Sequence, residues 1–254
     1  MSEAINQLLQ DAGKHLRAGY DAPPPWQEKA PRDLVTELDR EIEGLLTEGL
    51  QRLFPKDGFM GEELGAISGC SDATWLIDPI DGTTNFIMGK PYFAISLART
   101  RANRVEEAYV FNPVSDELFH ATSAQPHAYL NGTRITPSPV ATIEQARVAF
   151  GFSANMSAVQ RYHREWTDVF EQCAKGVGWI APALTLCNVA RGRVDALIDF
   201  GASPEGQAAG AFILQQAGGV VWNYDAPDTY HVNTKGIVAC APALASALRN
   251  RNPS

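Results

Sequence analysis

The chain is predicted to be an α+β protein, and three features of its sequence point there. Apolar side chains recur at helical spacing from Ile5 to Leu53. Short alternating runs separated by turn residues fill Trp75 to Ile135. From about residue 138 onward, strand-like and helix-like segments alternate.

Ile5, Leu8, Leu9, Ala12 and Leu16 define an amphipathic first helix that closes around Gly19, before the turn Pro23 to Pro25. A second helix is expected from Asp33 to Leu53, with Leu38, Ile42, Leu45, Leu46 and Leu50 on one face and Asp39 near its start. WLID, YFAISLART, EEAYVFNP, ELFHAT and AYLNGTRI then read as antiparallel strands, and Asn131-Gly132 is a two-residue hairpin signal. Beyond Ser138 come a strand (ARVAFGF), two helices (AVQRYHREWTDVFEQCA and PALTLCNVARG) and a strand (VDALIDF). A helix (GQAAGAFILQQAGG), two strands (VVWNY and GIVACA) and a last helix (PALASALRN) complete the order. One domain is expected over 1–254, with halves 1–137 and 138–254 and neither linker nor repeat between them.

With 254 residues, 45% hydrophobic and 20% charged, the chain can bury a sizeable core, which excludes disordered, collagen-like and coiled-coil classes. A net charge of −8 argues against nucleic acid or an anionic membrane as partner, so an anionic ligand would need backbone N–H groups or bound cations. No apolar run approaches the ~20 residues of a membrane span, and the N-terminus is polar, so a cytoplasmic protein is expected. Cys70, Cys173, Cys187 and Cys240 form no close pair and read as reduced, mostly buried thiols. His120, His127, His163 and His231 lack ligand spacing. Trp166 and Phe170 read as core, and Arg161 and Arg164 as a solvated helix face.

The chemistry is concentrated in Asp78-Pro79-Ile80-Asp81-Gly82-Thr83-Thr84-Asn85-Phe86. A strand ending in two carboxylates three positions apart, on a turn shaped by proline and glycine, delivers both to one rim of a sheet. Such a rim suits a hard divalent cation, and the N–H groups that follow suit an anion. An Asx turn with a helix cap is the plain alternative for such a motif in isolation. Gly61-Glu62-Glu63 upstream adds carboxylates that favour the cation.

These segments resemble the inositol monophosphatase family across nearly the whole chain. KAPRDLVTELD, GEELG, WLIDPIDGTTNF, CNVARGRVDALID and AAGAFILQQAGG each match a family segment. The resemblance implies a layered αβαβα sandwich, a homodimer, and Mg²⁺-dependent hydrolysis of a small phosphate monoester. It implies Glu62, Asp78, Asp81 and the Ile80 carbonyl as ligands of two or three Mg²⁺ ions. Asp39 and Thr83, with Glu62, become the catalytic set that orients and deprotonates the attacking water; Gly82 and Thr83 hold the phosphate. Asp199 matches a position that contacts substrate hydroxyls, and Glu205 is assigned with it to the substrate side.

The chain departs from the family in two places. Where the family reads W-D-x-A-A-G, Glu205 stands at the tryptophan and Gly206 at the aspartate that ligates the second metal, which weakens that site. Three readings stay open. Glu205 reaches the metal, or Asp78 and Asp81 hold it with waters, or hydrolysis is lost and the protein binds a phosphorylated metabolite or transforms it differently. The second departure is Ile180-Ala181-Pro182-Ala183-Leu184-Thr185, where a small, polar run usually borders the substrate. It points away from myo-inositol phosphate and toward another phosphorylated sugar, polyol, amino alcohol or nucleotide-like metabolite.

Overall fold

Helix α1 (Ser2–Asp21) and helix α2 (Glu37–Leu53) are joined by a hairpin of β1 (Trp26–Ala30) and β2 (Asp33–Thr36) in a computed structural model of the chain. The structure describes residues 2–22, 24–30, 33–151, 156–226, 229–233 and 235–250.

A large sheet follows, made of β3 (Gly58–Gly61), β4 (Gly65–Ile67), β5 (Ala73–Asp81), β6 (Ala94–Arg101), β7 (Arg104–Asn112), β8 (Glu117–Thr122), β9 (Gln125–Leu130) and β10 (Thr133–Ile135). A short helix, α3 (Thr83–Ile87), separates β5 from β6. The eight strands lie in the order β10-β9-β8-β7-β6-β5-β3-β4, with only β3 and β5 parallel. Asn131 and Gly132 turn β9 into β10 with φ of 47° and 77°, the positive angles of a tight hairpin.

The second sheet holds β11 (Arg147–Gly151), β12 (Lys175–Gly178), β13 (Ala196–Asp199), β14 (Val220–Asn223) and β15 (Ile237–Cys240), in the order β12-β11-β13-β15-β14. Helices α4 (Met156–Gln172), α5 (Pro182–Ala190), α6 (Pro204–Gln216) and α7 (Ala245–Arg249) complete the chain.

Strand alternation sorts the side chains into three cores and so stacks the layers. Trp75, Ile77, Ile95 and Phe111 face Ile5, Leu9, Ile42 and Leu46 of α1 and α2. On the other side of the large sheet, Leu76, Ala98, Val110 and Phe119 meet α5 and α6, which also cover Ala149, Leu197 and Ala239 of the second sheet. Val148, Phe150, Ile198 and Val238 point the opposite way, toward Trp166 of α4 and Leu248 of α7. The result is the αβαβα sandwich. As a central layer, α5 is buried at every position from Ala183 to Ala190, so its sequence shows little amphipathic pattern.

Some local expectations change. The second helix begins at Glu37, because Thr36 is extended and donates its N–H to Asp39 Oδ2 at 2.8 Å, so Asp33–Thr36 pairs as β2 instead. Phe170 is 51% exposed, resting its ring against Phe150 rather than filling the core. Arg161 is not simply solvated: it pairs with Asp225 and Glu165 and stacks on Tyr224. Only Cys187 and Cys240 are buried; Cys173 is partly exposed and Cys70 exposed. No helix among the described residues is long and apolar enough to cross a membrane.

Candidate active site

Strand β5 runs in register with β6 until Asp78 pairs with Ser96, then slips so that Asp81 pairs with Ala94. Pro79 lies inside that slip, where its missing N–H costs no ladder bond. Asp78 and Asp81 are thereby both buried at one end of the strand. Gly82 follows with φ 95°, and a Cβ there would sit 2.8 Å from the Ile180 carbonyl oxygen, so both conformation and space demand glycine.

Thr83 opens α3 and brings α2 to the turn. Its hydroxyl lies 3.1 Å from Asp39 Oδ1 and 3.0 Å from the Ile80 carbonyl oxygen. It carries one hydrogen, so it donates to one acceptor at a time and keeps lone pairs free to accept. Asp39 Oδ2 is held by the Thr36 N–H and hydroxyl, which fixes the carboxylate. Burial raises the proton affinity of Asp39.

Asp81 points at the start of α5, and its Oδ2 accepts the Leu184 N–H at 2.9 Å. Its Oδ1 is buried without a hydrogen-bond partner among the described residues. Burial raises its pKa to about 8, with the α5 amides opposing and the Glu62 and Asp199 charges adding to the rise. Asp78 is pushed up strongly by burial and then by Glu62, Asp81 and Asp39, while its Oδ1 accepts the Ile80 N–H at 3.1 Å.

Glu62 is paired with Lys29 of β1 at 2.8 Å, and Glu63 holds the same ammonium. The Lys29 pKa is raised: burial acts against the charge, but the two carboxylates outweigh it. Behind this turn, Glu43 of α2 is buried and accepts the Glu63 and Leu64 N–H groups, both at 2.8 Å.

Among the described residues no three His, Cys, Asp or Glu side chains are drawn closely enough together to hold a metal as they stand. The reason is visible in their partners: Lys29 takes Glu62, the α5 amides take one oxygen of Asp81, and the Ile80 amide takes one oxygen of Asp78. The donor set nevertheless fits a hard divalent cation. It is all oxygen and mutually repelling, with Asp78 and Asp81 buried and Glu62 exposed beside them, and Asp81 Oδ1 has no partner among the described residues.

On the α/β side, Asp199 ends β13 with Oδ1 accepting the Gly201 and Ala202 N–H groups at 2.8 and 2.9 Å. Its carboxylate leans over Gly151, where a Cβ would collide with it, and the residue is 6% exposed. Asp199 is therefore committed to backbone amides, though its charge is felt at Asp81. Glu205 lies in the first turn of α6, partly exposed, with its carbonyl 3.4 Å from the Ser96 hydroxyl and, among the described residues, no hydrogen bond or ion pair to its side chain. Gly206 is buried one residue on. A Cβ at Gly206 would lie 3.4 Å from Asp78 Oδ2 and 3.2 Å from Ser203 Oγ, so the position faces the carboxylates but presents no side chain to them.

The wall above Gly82 is Ile180, 40% exposed, followed by Ala181 and by Pro182 at the start of α5. Asn85 clips that wall through Nδ2, which donates to the Ile180 carbonyl at 2.9 Å and the Tyr92 carbonyl at 2.8 Å. Lys29 and Glu43 were not singled out from the sequence. Glu43 left a signal, since it is one helical turn after Asp39 and beside Ile42 and Leu46 on the buried stripe of α2.

An αβαβα sandwich with buried carboxylates at one end of β5 and an Asp–Thr pair beside them defines a class of layered α+β protein. The inositol monophosphatase family model matches residues 1–252, and the chain belongs to that family. The Nus factor SuhB of Escherichia coli (strain K12) is 33% identical over 244 residues, covering 93% of this chain and 90% of its own. The Nus factor SuhB of Pseudomonas aeruginosa is 35% identical over 237 residues, covering 89% and 86%. Among solved structures, the extragenic suppressor protein suhB from Bartonella henselae aligns with a TM-score of 0.91 at 28% identity over 99% of both chains. An IMPase from Thermotoga maritima aligns at 0.83 and 27%, covering 96% of this chain and 94% of its own.

Proposed function

We propose that the protein is a Mg²⁺-dependent phosphatase of the cytoplasm that hydrolyses a small phosphate monoester, and that it works as a single-domain homodimer. The observation that carries this reading is the part-buried Asp39–Thr83 contact set directly against the Asp78–Asp81 turn. Glu62, Asp78, Asp81 and the Ile80 carbonyl would hold Mg²⁺, which when bound offsets phosphate charge and lowers the pKa of water.

The chain's own residues supply the rest. Thr83 accepts a hydrogen bond from the attacking water while donating to Asp39 Oδ1, so Asp39 draws the proton through Thr83. The Thr36 bonds keep the carboxylate aimed, and burial makes it a stronger base. Gly82 and Thr83 offer backbone N–H groups to the phosphate. Ile180, Ala181, Asp199 and Glu205 border the alcohol portion of the substrate, and the exposed Ile180 side chain favours a leaving group other than a fully hydroxylated ring.

Gly206 supports a second reading, in which hydrolysis is impaired or lost and the fold binds a phosphorylated metabolite or acts on it differently. The Nus factor name carried by relatives is compatible with a role besides hydrolysis. Phosphate release from a panel of phosphorylated metabolites, across a Mg²⁺ titration, separates the two readings when run on the natural protein and on Gly206→Asp. The first reading expects turnover by the natural protein and a Mg²⁺ requirement about tenfold or more lower in the variant. Silence of the natural protein on every ester, with activity gained by the variant, would establish the second.

A further inference from the structure

We infer that Glu43 is the positioning residue for Glu62, and that the glycine of Gly61-Glu62-Glu63 exists to admit the Glu43 carboxylate. The inference rests on the cation-binding reading of Glu62 given above.

Three observations carry it. First, Glu43 is 1% exposed and its two carboxylate oxygens are divided between two consecutive amides: Oε2 accepts the Glu63 N–H and Oε1 the Leu64 N–H, each at 2.8 Å. A charged acceptor gripping two neighbouring N–H groups fixes the peptide planes immediately after Glu62, hence the direction in which its side chain leaves the backbone. The Glu62 N–H is itself tied to the Ile77 carbonyl of β5 at 3.2 Å, so the residue is pinned from both sides. Second, Gly61 does not have a positive φ, so backbone conformation does not call for glycine. Space does: a Cβ on Gly61 would fall within the Glu43 carboxylate. Third, Glu43 follows Asp39 by one turn on α2, and both are buried toward the large sheet. One rigid helix therefore aims the base with one carboxylate and the Glu62 turn with the next, which holds the two at a set spacing.

Apart from the nearby Lys29 charge, the anion at this position is held by the two amides. Glu43 makes no ion pair of its own among the described residues, and Lys29 is engaged by Glu62 and Glu63. A carboxylate held in the interior by two backbone amides is a costly device for stability, but a good one for orientation.

The test compares the natural protein with Glu43→Gln, Gly61→Ala, Glu43→Ala and the Glu43→Ala/Gly61→Ala double variant. Glutamine keeps the shape but can accept only with its oxygen, so one of the two amides loses its partner. The readouts are the Mg²⁺ midpoint of the rise in thermal unfolding temperature, phosphate release at saturating Mg²⁺, and hydrogen exchange of the Glu63 and Leu64 amides without metal.

In Glu43→Gln the Mg²⁺ midpoint is expected to rise about 10- to 100-fold, with kcat at saturating Mg²⁺ within about threefold of the natural protein. At least one of the two amides should lose protection while the other β3 and β5 amides keep theirs. Gly61→Ala should raise the midpoint similarly in the natural background and much less in Glu43→Ala, because the collision partner is gone. An unchanged midpoint in folded Glu43→Gln overturns the inference, as does a Gly61→Ala effect of equal size in both backgrounds. If Glu43→Gln does not fold, rapid exchange of the Glu63 and Leu64 amides in the natural protein overturns it, and strong protection together with the Gly61→Ala coupling upholds it. Failure of the phosphatase reading looks different: the natural protein releases no phosphate, while the metal-free exchange pattern still reports on the clamp.

Discussion

Asp39 and Thr83 are 44 positions apart in the chain, yet they meet at 3.1 Å, and the proposed base depends on that contact. Asp39→Asn keeps an oxygen for the Thr36 N–H while removing the ability to take a proton. It is expected to lower kcat by about 10²–10⁴-fold and to leave the Mg²⁺ midpoint of thermal stabilisation nearly unchanged. A loss of both would mean that Asp39 acts on the cation rather than on the water. At Gly206 the argument reverses. The position is next to Asp78 Oδ2 with room for a Cβ at ordinary to tight contact, so a carboxylate can be restored there without rebuilding α6.

At the scale of elements, the placement of β13 against β11 depends on Asp195, which immediately precedes β13 and is fully buried. Its carboxylate accepts the Arg147 N–H at 2.7 Å, two guanidinium nitrogens at 2.9 Å each, and the Ser138 hydroxyl at 2.5 Å. Burial alone would raise its pKa, but these bonds win and hold it below the ordinary carboxylate range. A depressed folded pKa contributes stability that is present above the unfolded value, near 3.8, and lost as pH falls through the folded value. The urea midpoint should therefore drop as pH is lowered from 5 to 2.5. In Asp195→Asn it should start lower by about 1–3 kcal/mol of stability and fall less steeply. An equally steep fall in the variant would assign the acid limb to other carboxylates.

The whole molecule depends on its central layer. Gly210 of α6 lies against α5, where a Cβ would be 2.5 Å from the Ala183 carbonyl oxygen and 2.8 Å from Leu186 Cβ. Gly210→Ala should cost about 1–3 kcal/mol, lowering Tm by about 2–4 °C per kcal/mol in a calorimetric scan. Because α5 presents the amides that hold Asp81, and α6 carries Ser203 and Gly206, the same wedge should also raise the Mg²⁺ midpoint. A pure stability loss with unchanged Mg²⁺ response would show that the two helices can part without disturbing the site.

Much of this was legible in the chain alone. Helical spacing in α1 and α2, strand alternation from β5 to β10, and the Asn131-Gly132 hairpin follow from local side-chain periodicity and turn chemistry, which need no distant partner. The Asp78 to Thr83 motif was equally readable, because proline, glycine and both carboxylates fall within one turn. Other features depended on which partner a polar side chain takes, whether near or far along the chain. The β1–β2 hairpin displaced the start of the expected second helix because Asp39 captured the Thr36 amide. Lys29 reached Glu62 and the α5 amides claimed Asp81, neither of which a spacing rule encodes, while Asp199 turned onto its own loop. The sequence by itself thus determined the element pattern and the motif, which are written in periodicity and neighbouring residues, and its motifs carried the resemblance that implied the family and its layers. Only the tertiary structure decided which partner each buried carboxylate takes, because in a crowded, low-dielectric interior that choice belongs to whichever donor the packing brings within reach.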